Sequence, residues 1–207
     1  MRRRDPKARG SIAFVADTAG YILVGGKSSR LGRDKALAEW QGRPLAVRLA
    51  ETVRAAAGSA TLVGPQEKYG HLGLRVIPDS IADFGPLAGL LAALEDSAST
   101  WNFVTACDMP NLTEAFLRFL LGEARRSDVD VLFPLDSEGR AEPLCAVYSL
   151  RCREAIRSAV EGGIHKMTDA FRDLRVRELL PGEYAEFDRD GRLFANLNTP
   201  EDWQQVL

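Results

Sequence analysis

The sequence has few residues that bind soft metal ions or form disulfides. Its 207 residues include two histidines, His71 and His165, and three cysteines, Cys107, Cys145 and Cys152, with no CxxC spacing. Structural zinc sites and redox motifs normally use such closely spaced cysteines or histidines. We therefore expect no zinc site. So low a cysteine content favours a reducing, cytoplasmic setting.

The sequence also lacks a marked excess of charge and a long apolar run. Lysine and arginine number 27 and aspartate and glutamate 29, so a general nucleic-acid-binding role is not expected. No segment approaches the roughly 20 apolar residues that span a membrane. The apolar stretch after the basic N-terminus is too short for a signal peptide. We expect residues 1–19 to be a flexible extension, or less simply to add an edge strand at residues 12–15.

Apolar segments of strand and helix character alternate along the chain, which at 207 residues and 45% hydrophobic content fits one domain. Strands are predicted at residues 22–24, 60–63, 74–77 and 101–106. Helices are predicted at residues 44–57, 87–94, 150–161 and 166–174, with another to about residue 126 and a last one after Thr199. A capping box of Asn111 and Glu114 is expected to begin the helix that ends near residue 126.

This alternation is typical of a mostly parallel sheet with helices on both faces. Residues 129–135 and 143–148 flank a polar turn and predict an antiparallel pair, so the sheet should be mixed. The sequence therefore predicts a three-layer α/β/α domain over residues 20–207.

A glycine pair follows the first predicted strand, and a cluster of cations follows the glycines. Gly25 and Gly26 have no side chain to prevent backbone N–H groups from surrounding an anion, and Arg30, Arg33 and Lys35 add positive charge. The stretch is not a Walker loop, because the position of its first glycine holds tyrosine. A tight turn with a solvated basic flank explains this pattern equally well.

Two aspartates also follow predicted strands. Asp79 comes after residues 74–77, and Asp108 comes after residues 101–106. Ligands of open α/β sheets bind beyond the carboxyl ends of strands, so one crevice should collect Gly25, Asp79 and Asp108. Asp108 suits Mg²⁺ that bridges nucleotide phosphates, although a turn aspartate bonded to its own backbone is the alternative. Lys35 suits the neutralisation of phosphate charge, or is simply solvated.

Asn196 and Asn198 alternate with Leu197, so on an extended backbone both amides face one side and Leu197 faces the core. They suit the ordering of a second substrate or water near the metal, and capping of the last helix explains them equally well. Both histidines are expected to be surface or locally bonded residues, and Cys107 is expected to pack rather than react.

In combination these residues resemble the MobA-type molybdenum cofactor guanylyltransferases, a family within the larger group of nucleotidyltransferases with a Rossmann-like, glycosyltransferase-A-like fold. The resemblance covers the chain from residue 21 to the C-terminus. The motifs that carry it, in order, are Leu23-Val24-Gly25-Gly26, Arg30-Leu31-Gly32, Asp34-Lys35, Gly42-Arg43-Pro44-Leu45, Asp79, Gly85-Pro86-Leu87, Cys107-Asp108-Met109-Pro110, Pro143-Leu144 and Asn196-Leu197-Asn198-Thr199-Pro200-Glu201.

The resemblance implies Mg²⁺-dependent transfer of GMP from GTP to molybdopterin, with proteins that deliver or receive the cofactor as further partners and no nucleic acid or membrane. It implies the following roles: nucleotide binding by Leu23, Gly25 and Gly26, phosphate binding by Lys35, nucleoside binding by Asp79, magnesium binding by Asp108, catalysis by Lys35, Asp108 and Arg30, and contacts near the reacting phosphates or the pterin by Asn196 and Asn198.

The same resemblance bears on the choice of base. Relatives that use CTP typically have Leu-Ala-Ala-Gly in the first motif and acidic residues at the positions of Asn196 and Asn198, so this chain is expected to use GTP. Two positions depart from the family pattern. Val24 replaces the usual alanine, and Gly64 stands where some members have an asparagine that contacts the nucleoside.

Other functions remain open at the level of sequence. One is a related transferase that uses CTP on molybdopterin or a nucleoside triphosphate on a sugar phosphate. A second is a nucleotide hydrolase or switch, against which Tyr21 argues. A third is a nucleotide-binding or cofactor-delivery module without catalysis.

Overall fold

The structure, a computed structural model, describes residues 17–25 and 34–197. The strands in these ranges are β1 (Thr18–Leu23), β2 (Glu39–Trp40), β3 (Arg43–Pro44), β4 (Thr61–Val63), β5 (Arg75–Ile77), β6 (Trp101–Ala106), β7 (Val131–Pro134), β8 (Cys145–Ser149) and β9 (Val176–Leu179). The helices are α1 (Leu45–Ala57), α2 (Gln66–Tyr69), α3 (Pro86–Asp96), α4 (Glu114–Arg126) and α5 (Arg153–Glu161). Short 3-10 helices cover Lys35–Leu37, Gly70–Leu72, Leu150–Cys152, Met167–Phe171 and Pro181–Glu183.

Seven strands form one sheet in the order β5-β4-β1-β6-β8-β7-β9, and β2 pairs with β3 separately. Strands β5, β4, β1 and β6 are mutually parallel. Strand β8 is antiparallel to both β6 and β7, whereas β9 is parallel to β7. The predicted mixed, mostly parallel sheet is thus confirmed. The carboxyl ends of β1, β5 and β6 lie at one edge, together with the start of β8.

Helices cover both faces of the large sheet. On one face α1 packs against α4, and on the other α3 packs against α5. Helix α4 shows why: Phe116, Leu117, Leu120, Leu121 and Ala124 recur at spacings of three and four, which places them on one buried stripe. The three-layer arrangement follows from two such apolar layers, one on each side of the sheet.

The predicted capping box at the start of α4 is wrong. The cap is Thr113, which is extended and accepts a 3.3 Å hydrogen bond from the Phe116 backbone N–H. Asn111 instead donates to the Arg192 carbonyl at 2.7 Å. Both residues are good cap types, and the tertiary contact to Arg192 decides between them.

Several boundaries differ from the predicted ones. Strand β1 begins at Thr18, within the stretch expected to be an extension, because Thr18 and Ala19 pair with Trp101 and Asn102 of β6. Residues 166–174 form only the 3-10 helix Met167–Phe171. The strand β9 was not predicted, because in it only Leu179 is buried.

Helix α2 and the β2–β3 pair were not predicted either. The predicted edge strand at residues 12–15 and the predicted helix after Thr199 lie outside the described residues. No helix in residues 17–25 and 34–197 is long and apolar enough to cross a membrane.

Candidate nucleotide and metal site

Gly25 follows β1 and packs directly on Asp79, which follows β5. A Cβ atom built on Gly25 would lie 3.1 Å from Asp79 Oδ2, closer than almost all real contacts of that kind. The absence of a side chain at Gly25 therefore lets the Asp79 carboxylate approach the main chain at the end of β1. This contact places Gly25 and Asp79 side by side beyond the ends of β1 and β5.

Helix α3 encloses the same carboxylate from another side. A Cβ atom on Gly89 would lie 3.1 Å from Asp79 Oδ1 and 3.0 Å from Leu23 Cδ2. The Asp79 carboxyl group is thus held between the backbones of Gly25 and Gly89. Burial raises the pKa of Asp79, and a bond from its own backbone N–H partly opposes this. A desolvated carboxylate at this place is suited to accept hydrogen bonds from a ligand.

Lys35 and Asp108 form an ion pair in the same region. Lys35 Nζ lies 3.2 Å from Asp108 Oδ2, and their side chains are 18% and 23% exposed. Asp108 follows β6, which is tied to β1 where the Cys107 N–H donates to the Leu23 carbonyl at 3.2 Å. Lys35 begins a 3-10 helix capped by Asp34, whose Oδ1 accepts from the Ala36 N–H at 2.9 Å.

The C-terminal asparagine motif reaches Asp108 through the backbone. The Leu197 N–H donates to the Asp108 carbonyl at 3.1 Å, and the Leu197 side chain is buried with Trp40 and Leu45. The predicted inward direction of Leu197 is confirmed. Next to it, Asn196 Oδ1 is buried and accepts no hydrogen bond from any residue in the described ranges.

These donors fit a magnesium ion. Mg²⁺ prefers oxygen ligands and commonly takes one or two from the protein, with phosphate and water completing the octahedron. The Asp108 carboxylate is one such donor, and the buried Asn196 Oδ1 is a second oxygen that lacks a partner. Within residues 17–25 and 34–197, no group of three or more His, Cys, Asp or Glu is placed to hold a metal. Any metal here therefore depends on few side chains.

Comparison with known proteins places the chain in a family. Residues 20–176 match the MobA-like NTP transferase domain. The chain belongs to the MobA-like NTP transferase family. It is 35% identical over 189 residues to a protein of Pelotomaculum thermopropionicum named probable molybdenum cofactor guanylyltransferase, covering 91% of each chain. It is 33% identical over 190 residues to the molybdenum cofactor guanylyltransferase of Desulfosudis oleivorans, covering 90% of this chain and 93% of that protein.

A solved structure supports the same assignment. The crystal structure of molybdopterin-guanine dinucleotide biosynthesis protein A from Archaeoglobus fulgidus superposes with a TM-score of 0.80 at 26% identity, covering 91% of this chain and 96% of that one. The resemblance noted in the sequence and the predicted fold are thus confirmed. The protein is a nucleotidyltransferase of the MobA-like family.

The structure of this MobA-like transferase brings together most of the predicted site residues. Six of them lie around the carboxyl ends of β1, β5 and β6, namely Leu23, Gly25, Asp79, Lys35, Asp108 and Asn196. Three others, Gly26, Arg30 and Asn198, lie outside the described residues, and the roles of all nine stay predictions.

Two residues near the site, Tyr69 and Glu142, were missed in the sequence, and Asp34 was named there only as part of the Asp34-Lys35 motif. Asp34 and Tyr69 are hydrogen-bonded to each other, and neither residue type in isolation signals that contact. Glu142 precedes β8 at the same edge of the sheet. The pKa of Glu142 is raised to about 7, mainly by burial, with smaller upward contributions from the charges of Asp136 and Asp108 that Arg140 partly opposes. Its position beside the Pro143-Leu144 motif was the only available signal.

The residues expected to be unreactive are packed or locally bonded. Burial, followed by the charge of Asp108, raises the pKa of the Cys107 thiol to about 12, so the thiol stays protonated at neutral pH. His165 stacks on Phe84 with ring centroids 4.3 Å apart, and its Nδ1 lies 3.0 Å from the Phe84 carbonyl oxygen. His71 is exposed. These positions agree with the prediction that none of the three acts as a nucleophile or base.

Proposed function

We propose that this MobA-like transferase moves GMP from GTP to the terminal phosphate of molybdopterin and releases pyrophosphate. The observation that carries the proposal is the contact of Lys35 with Asp108, two residues 73 positions apart, at the sheet edge where Gly25 packs on Asp79. A cation and a carboxylate beside a side-chain-free backbone form a site for a nucleotide and its counter-ion. The names of the relatives supply the substrates.

The reaction requires no protein nucleophile. An oxygen of the molybdopterin phosphate attacks the α-phosphorus of GTP and forms a new P–O bond. The bond from that phosphorus to the oxygen bridging the β-phosphate breaks, and the electron pair leaves with pyrophosphate. The attacking phosphate is already anionic at neutral pH, so catalysis depends on positioning and on the neutralisation of charge. The Lys35 ammonium group, which lies beside Asp108, would neutralise this phosphate charge.

Asp108 and Asn196 would hold Mg²⁺, and Asn198 keeps its predicted role near the reacting phosphates or the pterin. Bound magnesium supplies positive charge that stabilises the phosphate oxygens as charge develops on them. The ion pair with Lys35 keeps the Asp108 carboxylate directed into the crevice before the metal binds. The hydrogen bond from the Leu197 N–H keeps the asparagine motif against the same residue.

The nucleoside half of GTP is assigned to the other side of the crevice. Leu23 and Gly25 would contact the nucleotide through backbone and apolar surface, and the Asp79 carboxylate would accept hydrogen bonds from the nucleoside. Guanine is favoured over cytosine by the second glycine, Gly26, and by the asparagines at positions 196 and 198. This preference for guanine rests on the family pattern in the sequence.

A product assay tests the proposal. The purified chain is incubated with Mg²⁺ and radiolabelled GTP, with and without molybdopterin. We expect pyrophosphate and a guanine dinucleotide only when molybdopterin is present. Release of free phosphate would instead indicate a hydrolase, and binding without either product would indicate a delivery module. Faster turnover with CTP, or turnover only with a sugar phosphate, would favour a related transferase.

The metal assignment has its own test. Asp108→Ala should lower kcat by orders of magnitude, because it removes the carboxylate that would hold the metal, and the fold should stay intact. Asp173→Ala, a change at an exposed aspartate, is the matched control. Circular dichroism and titration with Mn²⁺ would accompany the rate. Near-normal turnover, or unchanged Mn²⁺ affinity, would overturn the assignment.

A further inference from the structure

Tyr69 is a buried residue at the end of α2 whose hydroxyl group reaches two separate segments of the site. The side chain is 1% exposed. Its Oη lies 2.6 Å from the Val24 carbonyl oxygen and 2.8 Å from Asp34 Oδ2. A phenol has one hydrogen, so Oη donates it to one of these acceptors at a time, and both remain within its reach.

The first acceptor belongs to the nucleoside side of the site. Val24 follows β1, and its N–H donates to the Val63 carbonyl at 3.0 Å. The Val24 carbonyl is part of the peptide that leads into Gly25, the residue that packs on Asp79. A hydrogen bond from Tyr69 to this carbonyl therefore fixes the peptide plane from which Gly25 begins.

The second acceptor belongs to the phosphate side. Asp34 caps the 3-10 helix that starts at Lys35, through the 2.9 Å bond from the Ala36 N–H. Its other oxygen faces the Tyr69 hydroxyl and also pairs with Lys68 Nζ. Lys35 in turn reaches Asp108 Oδ2. The Asp34 side chain thus caps the 3-10 helix from whose first residue Lys35 reaches Asp108.

We propose that Tyr69 is a positioning residue for nucleotidyl transfer: its hydroxyl group ties the Val24–Gly25 backbone to the Asp34–Lys35 turn and sets the spacing between the nucleoside and phosphate parts of the site. Burial, followed by the neighbouring Asp34, raises the pKa of Tyr69, so the hydroxyl keeps its proton at every working pH. The inference deepens the proposed function and rests on it for the reaction that is measured.

Tyr69→Phe removes only the hydroxyl oxygen, and Tyr184→Phe is the matched control. Tyr184 is equally buried, and its hydroxyl donates to the Leu135 carbonyl, away from Gly25 and Lys35. Each variant loses one buried hydrogen bond, so their melting temperatures should fall by similar amounts. We expect kcat/KM for Mg·GTP to fall about tenfold or more in Tyr69→Phe and to stay within about twofold in the control. Equal losses in the two variants would overturn the inference.

A double-mutant cycle with Asp34→Asn separates positioning from general destabilisation. Asparagine retains an oxygen that can accept from the Ala36 N–H, and it removes the carboxylate that faces Tyr69. If both residues act through one contact, the double variant should be little slower than the slower single variant. If the fold-losses in rate of the two single variants multiply in the double variant, the proposal is contradicted.

Nucleotide binding is measured alongside transfer, so that the two proposals fail separately. Titration calorimetry with Mg·GTP and no acceptor should show affinity about tenfold weaker for Tyr69→Phe than for Tyr184→Phe. A wild-type chain that binds Mg·GTP without transfer would overturn the proposed function alone. Equal affinities of the two tyrosine variants for Mg·GTP would overturn the positioning role even if the wild type transfers GMP.

Discussion

Gly64 and Val24, the two positions that depart from the family pattern, are in contact. A Cβ atom on Gly64 would lie 2.9 Å from Val24 Cγ2, 3.1 Å from Tyr69 Cε2 and 3.4 Å from the Gly25 nitrogen. The valine methyl group thus occupies the space that any side chain at position 64 would need. This contact explains why glycine accompanies valine here, and it predicts that the two positions are energetically coupled.

The expected magnitude follows from two opposing effects. Forcing a methyl group into this contact should cost about 1–3 kcal/mol. Replacement of glycine by alanine restores about 0.4–1 kcal/mol through the unfolded chain, since Gly64 is not among the glycines with positive φ. The difference spans about 0–2.6 kcal/mol, so Gly64→Ala should lower the free energy of unfolding by about 1 kcal/mol and the melting temperature by about 2–4 °C for a chain of this size.

Val24→Ala should relieve the conflict. As a single change, Val24→Ala removes two buried methyl groups and should lower the free energy of unfolding by about 2 kcal/mol. In that background Gly64→Ala should be close to neutral, because the 2.9 Å contact is gone and only the contact with Tyr69 remains. The coupling energy between the two changes is then about 1 kcal/mol and favourable.

Urea unfolding of the four proteins in this cycle measures the coupling. Gly182→Ala is the matched control, because a Cβ atom there would meet nothing within 4 Å and its φ is not positive. The control should be unchanged or more stable by up to about 1 kcal/mol in both backgrounds. An equal cost of Gly64→Ala with valine or alanine at position 24 would refute the steric reasoning.

Two further predictions concern the surroundings of the site. Because the pKa of Glu142 is raised from its ordinary 4.5 to about 7, the stability it contributes is present below pH 4.5 and is lost as pH rises through 7. The free energy of unfolding of Glu142→Gln, measured in urea, should therefore rise by about 1–3 kcal/mol relative to that of the wild type between pH 5 and pH 8. Parallel pH profiles of the two proteins would contradict this. Gly89→Ala should weaken Mg·GTP binding about tenfold by displacing Asp79 and Leu23, which calorimetry measures. Gly122→Ala, at an open position of α4, should leave binding unchanged and stabilise the chain by up to about 1 kcal/mol.

The fold was predictable where burial leaves a continuous signal. Strand β6 was predicted at its observed bounds, Trp101–Ala106, because five of its six side chains are buried and the apolar run is clear. Strand β9 was not, because one buried residue, Leu179, produces no alternation. The cap of α4 was misassigned since Asn111 and Thr113 are both good caps, and only the contact of Asn111 with the Arg192 carbonyl separates them.

The site was predictable to the extent that parallel strands end at one edge. That rule predicts from the sequence alone that Gly25, Asp79 and Asp108 lie at one edge of the sheet. It did not predict the contact of Lys35 with Asp108, because Lys35 lies in a turn whose direction depends on its cap. Tyr69 carries no motif, and its importance comes only from one hydroxyl group within hydrogen-bonding distance of two acceptors, on Val24 and Asp34, that are distant in sequence.

The proposed guanylyl transfer to molybdopterin is tested most directly by a competition assay. The purified chain is given equal concentrations of GTP and CTP with Mg²⁺ and molybdopterin, and the dinucleotide products are separated and identified by mass spectrometry. We predict that the guanine dinucleotide accumulates together with pyrophosphate, while the cytosine dinucleotide is a minor product. A predominant cytosine product, or no dinucleotide from either nucleotide, would contradict the claim.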